Sequence, residues 1–328
     1  MNFKKILQTL SLLLLFIFPI NALAYSSKVI PGGENLGINV NLDYVSIVGF
    51  YKVKDKFIGS DAGLKLGDRI IEINHEEVSS IDRMVEIIDN ESRKDEVTLT
   101  VIRDMDTKDV KLSLVKDDNG VIKTGLYVKD KITGIGTLTY IDPETKIFGA
   151  LGHEILDKNS ALKVEIKDGT IFKSDVVSIT PSKDGEVGEK NAKFYTDTTY
   201  GVVEKNSREG IFGTYQGEFS DKDAIDVGRL EDVKIGKAYL RTVVSGSEMK
   251  DYEINILEID KDNPTKNILF EITDKELLNI TGGVVAGMSG SPILQDNKLI
   301  AACTHVVVNT PHKGFAISIE NMLEEGEK

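Results

Sequence analysis

Residues 285–294 read Val-Ala-Gly-Met-Ser-Gly-Ser-Pro-Ile-Leu. Pro292-Ile293-Leu294 is followed by a polar Gln295-Asp296-Asn297 and then by Leu299-Ile300-Ala301-Ala302, so the serine loop leads into a strand, a tight turn and a second strand. Ser289, set between Gly287 and Gly290, has two readings. It is a turn serine between strands, or it is a nucleophile. A serine hydroxyl at its own pKa is a poor nucleophile, and it needs a base, donors for a developing oxyanion and open backbone space, which glycines supply. The surrounding sequence has to decide.

Upstream of the loop, strand patterns dominate. Gly136 to Ile141, an Asp142-Pro143 turn and Lys146 to Leu151 read as a hairpin that runs into Gly152-His153-Glu154. Runs at 161–166, 176–179, 236–244, 252–259 and 267–272, separated by turn residues, predict an all-β barrel or sandwich. The one strong helix pattern in this part is the tail from Ile319 or Glu320 to Glu325. His153, at a strand end among small residues, is the candidate general base, and a His, acid, Ser order along the chain is one that Ser/His/Asp enzymes use. His305, inside Cys303-Thr304-His305-Val306-Val307-Val308, is its rival, whereas His312 after Pro311 reads as a surface residue. From the residues alone the acid is open, with Asp142 and Asp197 both eligible. Ser291 reads as a structural serine. No metal or cofactor is expected: His153-Glu154-Ile155-Leu156-Asp157 lacks the second histidine of His-Glu-x-x-His, and the single cysteine, Cys303, makes neither an internal disulfide nor a zinc site.

Forty basic against 53 acidic side chains leave a net charge of −13, which repels nucleic acid and argues against it as a partner. Lys4 and Lys5 precede an apolar run from Ile6 to Ile20 and the small-x-small frame Ala22-Leu23-Ala24. Residues 1–24 therefore read as an export signal, or as a signal-anchor if left uncut.

Between residues 29 and 115 the pattern is short strands with one amphipathic helix. Ser79 or Ser80 caps it, and Ile81, Met84, Val85 and Ile88 share a face. Ala62-Gly63-Leu64-Lys65-Leu66-Gly67-Asp68-Arg69-Ile70-Ile71-Glu72-Ile73-Asn74 resembles the signature of PDZ domains. The resemblance implies a small α+β module whose groove, between a strand and the helix, takes up an extended peptide tail as an added strand. Leu36-Gly37-Ile38 is similar to the carboxylate-binding loop of such modules. The polar stretch Lys116 to Gly120 is the expected boundary, with a second domain over 120–328.

Taken together, the PDZ-like module, Gly134-Ile135-Gly136-Thr137-Leu138-Thr139-Tyr140-Ile141-Asp142-Pro143, Phe148-Gly149-Ala150-Leu151-Gly152-His153, Gly210-Ile211-Phe212-Gly213, Gly287-Met288-Ser289-Gly290-Ser291-Pro292 and Thr304-His305-Val306-Val307-Val308-Asn309 resemble the stage IV sporulation protein B family of serine peptidases over nearly the whole chain. The resemblance implies a mainly β protein, a PDZ domain followed by a chymotrypsin-like β-barrel peptidase domain. It implies Ser289 as nucleophile, His153 as base, Asp274 as the orienting acid, and the Gly287 and Ser289 amides as the oxyanion hole. Asp274 also fits a helix N-cap in Thr273-Asp274-Lys275-Glu276-Leu277-Leu278. The family further implies export across the forespore inner membrane into the intermembrane space. There the protein would cleave a membrane-associated regulatory protein and so trigger activation of a sigma factor in the mother cell. The PDZ groove would hold a peptide tail of the substrate or of a second copy. The competing expectation is a non-catalytic exported adaptor with a degenerate peptidase domain.

Overall fold

The computed structural model describes residues 25–91, 93–157, 163–220 and 223–328, so the expected export segment lies outside the described residues. Strands β1 (Lys28–Pro31) and β2 (Asn35–Phe50) open the chain. Then come β3 (Arg69–Ile73), β4 (Glu76–Glu77), β5 (Glu96–Arg103), β6 (Asp106–Ser113), β7 (Val115–Lys116) and β8 (Ile122–Lys123), with a helix at Ile81–Asn90. The next group is β9 (Leu126–Ile141), β10 (Ile147–Ala150), β11 (Ile166–Thr180), β12 (Glu189–Ser207) and β13 (Gly210–Tyr215). The last is β14 (Ile225–Val227), β15 (Gly236–Val243), β16 (Met249–Ile259), β17 (Ile268–Ile272), β18 (Pro292–Gln295), β19 (Lys298–Val306) and β20 (Lys313–Ser318), followed by the Ile319–Gly326 helix.

The strand pairings close into two antiparallel rings. In the first, β2, β9, β10, β13, β12 and β11 pair in that order and β11 returns to β2. In the second, β15, β16, β17, β20, β19 and β18 pair in order and β18 returns to β15. Period-two patterning drives both closures: Tyr252, Ile254 and Ile256 of β16 and Ile268, Phe270 and Ile272 of β17 all point inward and are buried, with Met288, Ile293 and Cys303 in the same core. Leu36, Ile38, Leu138, Phe148, Ile171 and Ile211 fill the first barrel likewise. Each ring leaves its strands no open edge within the barrel.

The PDZ module grows out of the first barrel rather than preceding it. Val45 and Ser46 of β2 pair with β3, β3 pairs with β5, and Ile47 to Phe50 pair with the start of β9. Ser80 caps the helix by accepting from the Arg83 amide, and Met84, Ile87 and Ile88 pack on Val45, Ile47, Ile70, Ile73 and Leu99. Val85, expected on that buried face, is 50% exposed, because Ile87 takes its place on the sheet side.

One sequence-based expectation needs correcting. Leu36-Gly37-Ile38 is not a carboxylate-binding loop: the three residues sit mid-strand, paired with Gly136, Ile135 and Gly134 on one edge and with Lys173, Phe172 and Ile171 on the other. The Phe172 ring fills the space a Gly37 side chain would need. Neither backbone edge is free to take a peptide. Two strands are shared across the expected boundary between the module and the barrel. β2 and β9 each run through both domains, so β1 and residues 35–42 belong to the barrel, while Leu126 and Val128 belong to the PDZ core. A strand that crosses a boundary carries no turn residues to mark it. A fragment that starts at residue 120 therefore lacks β2 and leaves the first barrel open between β9 and β11. Such a fragment is expected to show no cooperative thermal unfolding while residues 25–328 do; a sharp transition in the fragment would refute the shared-strand account.

Candidate active site

Where the two barrels meet, the Ser289 loop of the second lies against the end of β10 in the first. Leu151 and Gly152 both take positive φ, 69° and 68°, so the chain leaves β10 abruptly and delivers His153 beside the loop. Contact there depends on two glycines. A Cβ on Gly290 would collide with the Thr137 carbonyl and come within 2.5 Å of the Leu151 amide, and one on Gly152 would meet Thr304 Cγ2 at 2.9 Å.

The loop's hydrogen bonds can be followed atom by atom. The carbonyl oxygens from Ala286 to Ser291 each accept one bond, in order from Lys190 N (2.9 Å), Thr137 Oγ1 (2.9 Å), Ser291 N (2.9 Å), Thr137 N (2.9 Å), Thr139 Oγ1 (2.8 Å) and Cys303 N (2.9 Å). The amides of Ala286, Met288, Gly290 and Ser291 donate to Gly188 O, Val285 O, Cys303 O and Met288 O. Among the described residues the Gly287 and Ser289 amides donate to no protein acceptor. Backbone N–H groups in a packed region are almost always paired, so two unused ones on either side of Met288, one of them Ser289's own, are available to an anion.

Ser289 is half-buried, and its Oγ donates to Thr304 O at 3.0 Å. The next residue, His305, places its ring 5.1 Å centre to centre from that of His153. Both histidines expected as base candidates thus stand ring to ring on the barrel–barrel seam, His305 next in sequence to the serine's acceptor Thr304. His153 Nδ1 lies 2.8 Å from Glu154 O. A carbonyl oxygen only accepts, so Nδ1 carries the hydrogen and Nε2 keeps its lone pair for a proton. Burial pushes the His153 imidazole below its ordinary pKa, opposed more weakly by the Glu154 carbonyl and by the Glu154 charge. His305 is pushed down to about 4, by burial first, then by His153 and Lys266.

The structure does not bring Asp274 to either ring. Its carboxylate caps the Lys275–Thr281 helix by accepting from Leu277 N at 2.9 Å, and its own amide donates to Glu253 O. Leu269 stands level with His305 through Phe315, and Asp274 follows Ile272 at the other end of that strand. Asp142 is tied up in its turn, accepting from Glu144 N, and takes a bond from Ser26 Oγ at 2.7 Å. Asp197 is exposed beside Thr198. Here the Glu154 carbonyl fills the orienting position at Nδ1. Ser291 is fully buried, as a structural serine should be. No sequence signal marks Thr137, Thr139 and Lys190, since threonines in a strand and a lysine in a polar run look like surface residues. Among the described residues, no group of His, Cys, Asp or Glu side chains suits a metal ion.

Paired six-stranded barrels with a glycine-flanked serine and a histidine at their seam define a chymotrypsin-like serine endopeptidase, here carrying a PDZ module. Residues 120–323 match the family model described as SpoIVB peptidase S55, and residues 35–114 match that of the PDZ domain. The chain belongs to the SpoIVB peptidase S55 family. No curated protein matches it. Among solved structures it is similar to a thermostable serine protease, AL20, from an extremophilic microorganism, at 10% identity over 65% of this chain and 94% of that one with a TM-score of 0.34. It is also similar to the active form of the Rv3671c protease from M. tuberculosis (14%, 57% and 70%, TM-score 0.28) and to human heparin binding protein (9%, 58% and 82%, TM-score 0.32). At these scores the fold assignment rests on the strand pairings above.

If Asp274 only caps its helix, Asp274→Asn should leave kcat within about threefold and the thermal midpoint nearly unchanged, because Asn caps comparably. A loss of around 10⁴-fold on a peptide substrate, the size expected when the triad acid is neutralised, would instead put Asp274 at the histidine during turnover.

Proposed function

We propose that the chain cleaves peptide bonds by acyl transfer at Ser289, with His153 as general base and the Gly287 and Ser289 amides as the oxyanion hole. The observation that carries this reading is that every loop carbonyl from 286 to 291 is held while, among the described residues, the Gly287 and Ser289 amides stay unused. In the proposed first step Ser289 Oγ leaves Thr304 O and donates to His153, a side-chain rearrangement of the kind common when substrate binds. His153 Nε2 takes the hydroxyl proton as Oγ bonds to the substrate carbonyl carbon. The carbonyl electron pair moves onto oxygen between the two amides, the imidazolium hands its proton to the departing amine, and water reverses the sequence to free the acid. Glu154 O keeps Nδ1–H in place throughout.

The biological setting we propose is that of the family. The protein is exported during sporulation from the forespore into the intermembrane space and cuts a membrane-associated regulatory protein there, which signals to the mother cell and leads to sigma-factor activation. The family description supports the sporulation context, and the Lys4-Lys5 and Ile6–Ile20 pattern supports export. The PDZ module takes an extended tail, of the substrate or of a second copy. With Leu36–Ile38 buried in the barrel, the edge offered to that tail is the one that β9, among the described residues, leaves unpaired at 126–131. It runs beside the Ile81–Asn90 helix, whose Ile81 amide donates to Asp130.

Two measurements test the chemistry. Ser289→Ala should abolish cleavage of a membrane-associated ectodomain while leaving the thermal midpoint within a few degrees, since a half-buried hydroxyl adds little to packing. Near-normal cleavage by the folded variant would end the reading of Ser289 as nucleophile, and no cleavage by the wild type would favour the non-catalytic adaptor. In the second, kcat/KM should rise with pH along an acid limb centred below 6.5. The base acts only when neutral, and burial holds His153 neutral to lower pH than an exposed imidazole. A limb at or above 6.5 would remove His153 from that role.

A further inference from the structure

Lys190, the second residue of β12, is 2% exposed. Among the described residues it has no carboxylate partner: Nζ donates to Thr242 Oγ1 at 2.9 Å, and the titratable side chain beside it is Cys303 of β19. Burial pushes the lysine down to about 7 and the thiol up to about 12, so the cysteine is neutral and offers no counter-charge. A buried, unpaired ammonium is costly, and a methionine would fill the same stem volume without that cost. It is the nitrogen that needs a reason.

Its surroundings supply one. Thr242 Oγ1 also accepts from Ser291 Oγ at 3.0 Å, Ser291 Oγ lies 3.4 Å from Thr137 Oγ1, and Thr137 Oγ1 donates to Gly287 O at 2.9 Å. All three hydroxyl residues are fully buried. The lysine stem runs under the loop, since a Cβ on Gly287 would lie 3.2 Å from both Lys190 Cβ and Cδ. Lys190 N donates to Ala286 O at 2.9 Å across a parallel bridge between Glu189 and Ala286. In a trans peptide the C=O and N–H point opposite ways, so holding Ala286 O on the lysine side turns Gly287 N–H to the other face, next to Ser289.

We propose that Lys190 is a positioning residue of the oxyanion hole. Its main-chain amide sets the Ala286–Gly287 peptide, and its side chain, through Thr242, Ser291 and Thr137, holds the Gly287 carbonyl and places positive charge behind the two amides. The proposal rests on reading those amides as the oxyanion donors. It deepens that reading by saying why the loop does not flip. Thr242 of β15, Thr137 of β9 and the 283–291 loop bring no charged group to the lysine, so its protonation is set by burial and by substrate charge in front of the loop.

The test uses the full chain, a short fluorogenic peptide and a peptide aldehyde, whose tetrahedral adduct needs the hole. Lys190→Met keeps the backbone amide and the stem volume. We expect kcat to fall by about 10- to 100-fold with KM within about threefold, somewhat less than the loss of a whole oxyanion donor, and the aldehyde Ki to rise by a similar factor. The wild-type kcat should decline above about pH 7 as the lysine loses its proton, and this limb should vanish in Lys190→Met. A purely structural role would lower the thermal midpoint without moving that limb or Ki. A folded Lys190→Met protein with kcat, Ki and pH profile within twofold of wild type overturns the proposal. Should that variant show no cooperative melting, Thr242→Val removes the hydroxyl that accepts from Lys190 and Ser291 while keeping the lysine, and is read the same way: a lower kcat with a higher Ki supports the proposal, and unchanged values overturn it. If the wild type resists the aldehyde and Ser289→Ala still cuts, the underlying reading of the site fails, an outcome distinct from failure of the lysine's role alone.

Discussion

The geometry of the site depends on one constraint: the Ser289 loop is held by its carbonyls. Of six consecutive oxygens, Ala286 to Ser291, five are pinned by residues of β9, β12 and β19 and the sixth, Met288 O, by Ser291 N within the loop. Because each peptide's N–H is opposed to its C=O, pinning the oxygens of Ala286 and Met288 fixes the Gly287 and Ser289 amides without using them. Pre-set donors need no reorganisation when negative charge develops, which is why such arrangements weigh so heavily in acyl transfer. The strong backbone conformations at Gly287 and Gly290, φ 96° and 90°, are tolerable only for glycine and are required by this threading.

That constraint also ties the site to the fold. Thr137 and Thr139, which hold three of the six carbonyls between them, belong to β9, a strand that begins in the PDZ core at Leu126 and ends in the first barrel at Ile141. The loop's other anchors are Cys303 in the second barrel and Lys190 on β12, so neither barrel alone can shape the site. An enzyme assembled this way loses loop geometry whenever the barrels separate, and its PDZ module shares a strand with the anchors of the Ser289 loop.

Much of this was legible in the sequence, for identifiable reasons. Ser289 and His153 stood out because the glycines around them are forced by local geometry, and local geometry leaves local sequence. The barrels were legible as alternation in β16 and β17. Long-range threading leaves no such trace. Leu36-Gly37-Ile38 has the composition of a carboxylate-binding loop, yet becomes a doubly paired strand because β11 and β9 claim both its edges, a choice made by residues far along the chain. Asp274 fitted both a triad acid and an N-cap, and the two are separated only by where His153 lies. Lys190 read as one more surface lysine in a chain that carries 40 basic residues.

The most direct test of the account is a crystal structure of the protein inactivated by a peptidyl phosphonate, which traps the tetrahedral geometry. The account predicts phosphorus bonded to Ser289 Oγ, with the phosphonyl oxygen about 2.7–3.1 Å from the Gly287 and Ser289 nitrogens and Ala286 O still on Lys190 N. Attachment to any other residue, or a phosphonyl oxygen turned away from both amides, would contradict it.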